Sequence, residues 1–194
     1  MSGLVLFGYT IVVVDDGSAA SAESCLAGLS VYCVRHCANL GQGAALQTGT
    51  EFAVEHGASA IAHFDADGQH DPALIERLLD PIVRGRADVV LGSRFLDPAD
   101  RLLVPQTKRI LLKLGAIVFW AFSGIWLTDA HNGFRAFSRK AVEKVHMRKS
   151  GFAHATEILD LLRRAKLPYV EVPATSMFNG FDIVIDLMLR KLFK

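Results

Sequence analysis

The segment Ala62-His63-Phe64-Asp65-Ala66-Asp67-Gly68-Gln69-His70-Asp71-Pro72 begins as an apolar run and ends in carboxylates. Its first part is typical of the end of a buried strand, so Asp65 and Asp67 are predicted to emerge together where the strand becomes a loop. Two carboxylates at this spacing can share one divalent cation. Such oxygen ligands suit Mg²⁺ or Mn²⁺, which commonly bridge protein carboxylates to substrate phosphates. Gln69 adds a neutral oxygen as a third candidate ligand.

Two other interpretations compete with a metal site of this kind. The acidic spacing imitates a calcium-binding EF-hand loop, but His70 stands where that loop needs glycine, and a strand rather than a helix precedes it. Asp-Gly and Asp-Pro are also common turn pairs at the end of a strand. The segment alone disfavours the EF-hand and leaves the metal site and the turn open, so the choice depends on the rest of the chain.

Length and composition limit the architecture and the partners. The chain has 194 residues, of which 51% are hydrophobic. This is enough for one α/β domain with a full core and too little for two, so residues 1–194 are predicted to form a single domain. Lys and Arg number 21 against 20 Asp and Glu, giving a formal net charge of +1. No overall field attracts nucleic acid, and we expect no nucleic-acid partner.

The cysteines and the first residues indicate a compartment. Cys25, Cys33 and Cys37 are odd in number and lack the Cys-x-x-Cys spacing of metal and redox sites. We predict reduced, mostly buried thiols in a cytoplasmic protein. Met1 to Tyr9 contain no basic region before their short apolar run, so we expect no secretory signal.

Two segments bear on membrane contact. Ile110 to Leu127 is strongly apolar apart from Lys113, but it is at the short limit for a membrane span and contains glycine. It is predicted to be a buried or interfacial helix. Asp182 to Phe193 is predicted to be an amphipathic helix with basic residues near its end. Such a helix could rest on a membrane surface or pack on its own domain.

Strand and helix signals alternate along the chain. Apolar, β-branched runs predict strands at 9–14, 31–34, 60–64, 88–91, 134–137 and 169–172. Caps and apolar periodicity predict helices from Ser18 or Ser21 to about Leu29, and at 44–56, 73–84, 157–165 and 182–193. This order implies a mainly parallel sheet covered by helices on both faces.

Charged residues follow several of these predicted strands. Ligands of such sheets bind at the carboxyl ends of the strands. By this reasoning one edge of the sheet is predicted to contain Asp15, Asp16, Asp65, Asp67 and Arg94. Their convergence favours a functional site over simple turn chemistry.

Five short motifs occur in a characteristic order. They are Val-Val-Asp-Asp-Gly-Ser (13–18), Asn-Leu-Gly-Gln-Gly (39–43), Phe-Asp-Ala-Asp-Gly-Gln-His (64–70), Gly-Ser-Arg-Phe (92–95) and Asp-x-x-Asn-Gly-Phe-Arg (129–135). Together they resemble the family 2 glycosyltransferases of the GT-A fold, especially the dolichyl- or polyprenyl-phosphate mannosyl- and glucosyltransferases. The resemblance extends over about residues 9–193. It implies a three-layer α/β nucleotide-diphospho-sugar transferase fold.

The resemblance also implies roles for individual side chains. It places a nucleotide site at Asp15, Asp16, Asp65 and Arg94, a metal site at Asp65, Asp67 and Gln69, catalytic roles at Asp129 and Asp67, and acceptor contacts at His131, Asn132 and Arg135.

The implied reaction is metal-dependent transfer of a sugar from a UDP- or GDP-linked donor, with inversion. Mg²⁺ or Mn²⁺ and a guanidinium would stabilise the charge of the departing diphosphate. The acceptor would be a polyprenyl phosphate or a glycan, at the cytoplasmic face of a membrane. A hydroxyl acceptor would need a general base near Asp129, whereas a lipid phosphate is already an anion.

The chain departs from the family pattern at two places. Few residues precede Tyr9, where members usually have a further strand, and 175–180 lacks the basic residues of a longer loop. We therefore expect a shortened member with weakened activity, and an exposed strand edge that favours a homo-oligomer. A non-catalytic nucleotide-binding or interaction protein with the same fold is the alternative. A nucleotidyltransferase would usually show a Gly-x-Gly-x-Arg loop, which the sequence lacks.

Overall fold

The computed structural model describes residues 8–65, 71–96, 120, 127–129, 132–144 and 165–174. The elements are β1 (Val12–Asp15), a 3-10 helix (Ala22–Leu26), β2 (Tyr32–Arg35), α1 (Gln42–Glu55), β3 (Ala60–His63), α2 (Leu74–Val83), β4 (Val89–Ser93), β5 (Arg135–Ser138), α3 (Arg139–Lys144) and β6 (Tyr169–Pro173). Every strand predicted from the sequence is present, and α1 and α2 occupy the predicted segments.

The strands form two hydrogen-bonded groups. β1 pairs in parallel with β2, and the other four follow the order β3-β5-β4-β6. β5 runs antiparallel to both β3 and β4, whereas β4 and β6 are parallel. Hence β3, β4 and β6 point the same way, and their carboxyl ends share one edge of the sheet. Arg135, the first residue of β5, pairs with His63 and Leu91 near that edge.

Helices cover both faces of the four-stranded sheet. On one face Val89 and Phe137 are buried with residues of α3 and beneath partly buried side chains of α1. On the other face Val90 packs with Ile75 and Leu78 of α2. Successive residues of a strand point to opposite faces, so the fully buried β4 needs apolar side chains throughout. The predicted three-layer α/β class is confirmed.

Two local predictions are wrong. The segment predicted to be a helix as far as Leu29 contains only the 3-10 helix Ala22–Leu26, because Gly28 adopts φ +82° two residues after its end. The three cysteines, predicted to be mostly buried, are exposed. For Cys33 the reason is that β2 has exposed positions throughout most of its length and pairs, within the described residues, with β1 alone.

Several predictions fall largely outside the described residues. These are the helices predicted at 110–127, 157–165 and 182–193. Within these ranges the structure describes Trp120, Leu127 and Ala165. Trp120 is helical and about half exposed. Within the described ranges, no helix has the length and apolar character needed to cross a bilayer.

Candidate active site

Asp15 ends β1 and shapes the turn that follows. Its Oδ1 accepts a hydrogen bond from Ser18 N at 2.9 Å, and its Oδ2 accepts one from Ala22 N at 3.0 Å. Arg35 Nε lies 3.5 Å from the same Oδ2. The hydrogen bonds from Ala22 and Ser18 lower the Asp15 pKa from 3.8 to about 2. Asp15 was predicted to bind the nucleotide, and in the structure its buried carboxylate is engaged within the protein.

Asp16 connects β1 to the glycine-containing turn before α1. Its carboxylate accepts hydrogen bonds from Leu40 N at 2.9 Å and Gly41 N at 2.7 Å. His36 Nδ1 lies 2.7 Å from Asp16 Oδ1, and His36 Nε2 lies 2.9 Å from Thr48 Oγ1. The hydrogen bond to His36 is the main cause of a lowered Asp16 pKa. Asp16 therefore fixes the turn before α1.

The amino end of α1 lies beside the central acidic segment. Gln42, the first residue of α1, donates from Nε2 to Asp65 Oδ1 at 3.3 Å. A helix amino terminus carries partial positive charge and free N–H groups, which favour anions. The first two acidic motifs are thus joined through the turn before α1.

Asp65 follows β3 and lies against Gly133. A Cβ atom added to Gly133 would stand 2.6 Å from Asp65 Oδ2, so the side chain of any other residue would displace this carboxylate. Asp65 is the predicted metal ligand that the structure describes, and a hard carboxylate at this edge fits Mg²⁺ or Mn²⁺. Asp67 and Gln69 lie outside the described residues, and within the described part no group of three or more His, Cys, Asp or Glu is gathered.

Arg94 and Asp129 form a buried ion pair. Arg94 Nε is 2.6 Å from Asp129 Oδ2, and Arg94 Nη2 is 2.8 Å from Oδ1. The Arg94 backbone N–H also donates to Oδ2, at 3.2 Å. Their side chains are 13% and 1% exposed. The structure therefore joins the residue predicted to contact the nucleotide with the residue predicted to be catalytic.

A second buried cation, Arg135, lies close to the same carboxylates. Its Nε donates to Asn132 O at 2.9 Å. Burial lowers the Arg135 pKa from 12.5 to about 10, and the charges of Asp129 and Asp65 partly oppose this shift. A pKa of about 10 leaves Arg135 charged at neutral pH. Two carboxylates and two guanidinium groups therefore meet at one edge of the sheet.

Asn132 supports the turn before β5. Its Oδ1 accepts from Phe134 N at 3.0 Å, and its buried Nδ2 has no hydrogen-bond partner among the described residues. Asn132 and Arg135, both predicted on the acceptor side, therefore lie together. His131, the third residue predicted there, is outside the described ranges.

Sequence reasoning missed Glu171 in β6. Its carboxylate accepts from Thr128 N at 2.9 and 3.0 Å, from Thr128 Oγ1 at 3.0 Å, and from Asp129 N at 3.3 Å. Burial is the main cause of its raised pKa, and the charge of Asp129 adds to it. One signal was available, because Glu171 is the single charge in the strand Tyr-Val-Glu-Val-Pro, and isolated charges are rarely buried without a partner.

The fold and the charged edge define a class: a three-layer GT-A protein with carboxylates and guanidinium groups at the carboxyl edge of its sheet. Residues 7–146 match the family described as Glycosyl transferase family 2. The chain belongs to this family, and it is therefore a glycosyltransferase by descent. The resemblance stated from the five motifs is confirmed.

Two relatives have informative names. The chain is 31% identical over 216 residues to a UDP-N-acetylglucosamine–dolichyl-phosphate N-acetylglucosaminyltransferase of Methanococcus voltae, covering 95% of this chain and 86% of the relative. It is 32% identical over 174 residues to a polyprenol monophosphomannose synthase of Mycolicibacterium smegmatis, covering 85% and 65%.

Solved structures agree on the fold. Glucosyl-3-phosphoglycerate synthase from Mycobacterium tuberculosis, in complex with phosphoglyceric acid, matches with a TM-score of 0.64 at 16% identity. The same enzyme with Mn²⁺, UDP and glucosyl-3-phosphoglycerate matches with a TM-score of 0.61 at 17% identity. Each match covers 90% of this chain and 63% of the solved chain. At this identity the likeness establishes the fold alone.

Proposed function

We propose that the protein transfers a sugar from a nucleotide-diphosphate sugar to a polyprenyl phosphate, with a divalent metal and with inversion of the anomeric centre. The observation that carries the proposal is the Arg94–Asp129 ion pair at the carboxyl edge of the sheet, next to Arg135 and Asp65. The names of the relatives support a lipid-phosphate acceptor, and the Mn²⁺–UDP complex of the M. tuberculosis enzyme supports a metal and a nucleotide.

The donor diphosphate would lie between the acidic segment and the guanidinium groups. Asp65, together with Asp67 and Gln69, would hold Mg²⁺ or Mn²⁺, and the bound cation would offset the charge of the departing diphosphate. The amino end of α1, held at Asp65 by Gln42, adds a partial positive charge on the same side. The base of the donor would be uracil or guanine.

The ion pair favours a lipid-phosphate acceptor over a hydroxyl acceptor. Both oxygens of Asp129 already accept hydrogen bonds from Arg94. This geometry suits a carboxylate that orients an arginine better than one that removes a proton from a hydroxyl. A phosphate acceptor needs no general base, and a permanently charged guanidinium such as that of Arg94 attracts phosphate oxygens.

The acceptor also suggests where the reaction takes place. A polyprenyl chain resides in a bilayer, so the protein would work as a peripheral protein at the cytoplasmic face of a membrane. The single domain and the homo-oligomer predicted from the sequence stay predictions.

Calorimetry tests the binding half of the proposal. UDP, GDP and their sugars are titrated into the full chain with Mn²⁺, and again with a chelator. We expect binding of one nucleotide that requires Mn²⁺, followed by slow hydrolysis of its sugar. Binding without any turnover, including with polyprenyl phosphate added, would favour the non-catalytic alternative. Metal-independent binding would contradict the proposed metal site.

A further inference from the structure

Glu171 lies next to the two segments that contain Arg94 and Asp129. It lies in β6 and pairs in register with Leu91 of β4. β4 continues to Ser93 and leads directly into Arg94. On the other side, the Glu171 carboxylate contacts the backbone of Thr128 and Asp129. The side chain thus lies next to both the segment that contains Asp129 and the strand that leads into Arg94.

The hydrogen bonds around Glu171 have a defined direction. An ionised carboxylate only accepts, so the single hydroxyl proton of Thr128 is donated to Glu171 Oε1. Ser93 Oγ, 2.6 Å from Thr128 Oγ1, must then donate to Thr128. Ser93 Oγ in turn accepts from Phe95 N at 3.2 Å. A continuous chain of donors, which begins directly after Arg94, therefore ends on Glu171.

This arrangement comes at an energetic cost. Glu171 is close enough to Asp129 for the two negative charges to repel, and its carboxylate is partly removed from water. If this position of β6 served only for packing, a neutral apolar residue would give a more stable fold than a carboxylate. The four hydrogen bonds that Glu171 accepts all come from the segment that carries Asp129.

We propose that Glu171 is a positioning residue that holds Asp129, and through it the guanidinium of Arg94, in the orientation needed for sugar transfer. This inference rests on the proposed function. Glu171 Oε1 accepts three of the four hydrogen bonds, and Oε2 accepts only from Thr128 N, so an amide that keeps its oxygen at the Oε1 position sets its NH₂ against the Thr128 backbone N–H. Glu171→Gln therefore keeps the volume of the side chain, and removes the negative charge and one of the two accepting oxygens.

The first test measures transfer by a double-mutant cycle in the full chain. Glu171→Gln should lower kcat about tenfold, the size expected when a charge-assisted hydrogen bond is lost, with little change in the KM for the donor. In a protein that already carries Asp129→Asn, Glu171→Gln should lower kcat no further, because each substitution alone already frees the Arg94 guanidinium from its orientation. Independent, multiplying losses would overturn the proposal and assign Glu171 a general role in folding.

The matched control is Asp88→Asn. Asp88 also bridges two segments through a carboxylate, accepting from Ser138 Oγ at 2.9 Å and from Lys140 Nζ at 2.6 Å. It precedes β4 and therefore lies at the opposite end of that strand from Arg94. Asp88→Asn is expected to leave kcat unchanged at temperatures where it is folded. An equal loss of kcat in this control would attribute the effect of Glu171→Gln to stability and overturn the proposal.

A second readout separates this inference from the proposed function. The Arg94 Nε–H signal, assigned by its loss in Arg94→Lys, reports hydrogen bonding to Asp129 in ¹⁵N NMR without any substrate. Glu171→Gln should shift this signal and speed its exchange with water, and Asp88→Asn should not. An unchanged signal overturns the positioning role. A shifted signal in a protein that transfers no sugar upholds the positioning and refutes the proposed function instead.

A third variant tests the same hydrogen bonds in case Glu171→Gln does not fold. Thr128→Val removes the hydroxyl that donates to Glu171 and leaves the carboxylate in place. It should produce a smaller shift of the Arg94 signal in the same direction, and Thr128→Ser should restore the parent signal. If Thr128→Val and Thr128→Ser give the same signal as the parent, the donor chain does not orient Arg94 and the proposal fails.

Discussion

Replacing Asp129 with Asn should destabilise the protein through the Arg94 ion pair. In the parent, Arg94 Nε and Nη2 lie 2.6 and 2.8 Å from the two oxygens of Asp129. An amide keeps one of these oxygens and turns an NH₂ group towards the guanidinium. The nearby buried cation, Arg135, loses one of the two carboxylate charges that support its ionised form.

The magnitude follows from the burial of the pair. Removing one partner of a buried ion pair costs about 3–5 kcal/mol, because a charge is left without compensation. Arg94 keeps 13% exposure and Asn keeps one acceptor, so we expect the lower end of that range. In a domain of this size, a loss of about 3 kcal/mol lowers the melting temperature by roughly 6–12 °C.

Thermal unfolding of Asp129→Asn beside Asp80→Asn tests this value. Asp80 pairs with Arg84 and Arg86, but the three side chains are 35%, 69% and 59% exposed. Exposed pairs contribute little, about 1 kcal/mol for these two together, so the same substitution there should lower the melting temperature by less than roughly 4 °C. Equal shifts in the two variants would refute the burial and pairing described for Asp129.

The same variant separates the two acceptor classes. If Asp129 orients Arg94, the rate on polyprenyl phosphate should fall only about tenfold, as for a lost charge-assisted hydrogen bond. If Asp129 is a general base for a hydroxyl, the loss on a soluble sugar acceptor should be roughly 10²–10⁴-fold. A large loss on polyprenyl phosphate with unchanged melting would assign Asp129 a direct catalytic role.

Three further outcomes are expected. Asp67→Asn should abolish Mn²⁺-dependent nucleotide binding in calorimetry with little change in melting temperature, and parent-like affinity would exclude Asp67 as a ligand. Gly133→Ala should weaken the same binding about tenfold by pushing Asp65 aside, since the new Cβ would stand 2.6 Å from its Oδ2; unchanged affinity would argue against this contact. The low pKa of Asp15 means that its stabilising contribution is complete above pH 3.8 and is lost as the pH falls through about 2. Asp15→Asn should therefore flatten the acid side of a plot of melting temperature against pH. An unchanged acid side would contradict the pKa shift.

The local elements were predictable because their signals are local. β4 and the helix α2 follow directly from a continuous apolar run and from amphipathic periodicity. The direction of β5 was not predictable, because alternation identifies a strand and not the strand beside which it lies. The 3-10 helix before Gly28 shows the same limit, since a glycine at positive φ ends a helix that the capping serine had favoured.

The site was predictable as a set of residues and not as a set of contacts. Arg94 and Asp129 were both singled out, yet they are 35 positions apart and nothing in their spacing shows that they bind each other. Glu171 and His36 were missed because their importance lies in the backbone and side-chain groups that tertiary folding brings to them. The charged residues of a motif are visible in sequence, and their hydrogen-bond partners become visible only in the fold.

The most direct test of the central claim is a transfer assay with purified full-length protein. Radiolabelled UDP- and GDP-sugars are incubated with polyprenyl phosphate in phospholipid vesicles, with Mn²⁺ or with a chelator, and the lipid phase is counted. The account predicts a labelled sugar phospholipid that forms only with Mn²⁺, and whose anomeric configuration by NMR is opposite to that of the donor. Release of free sugar with no labelled lipid, or a labelled lipid that forms equally with the chelator, would contradict it.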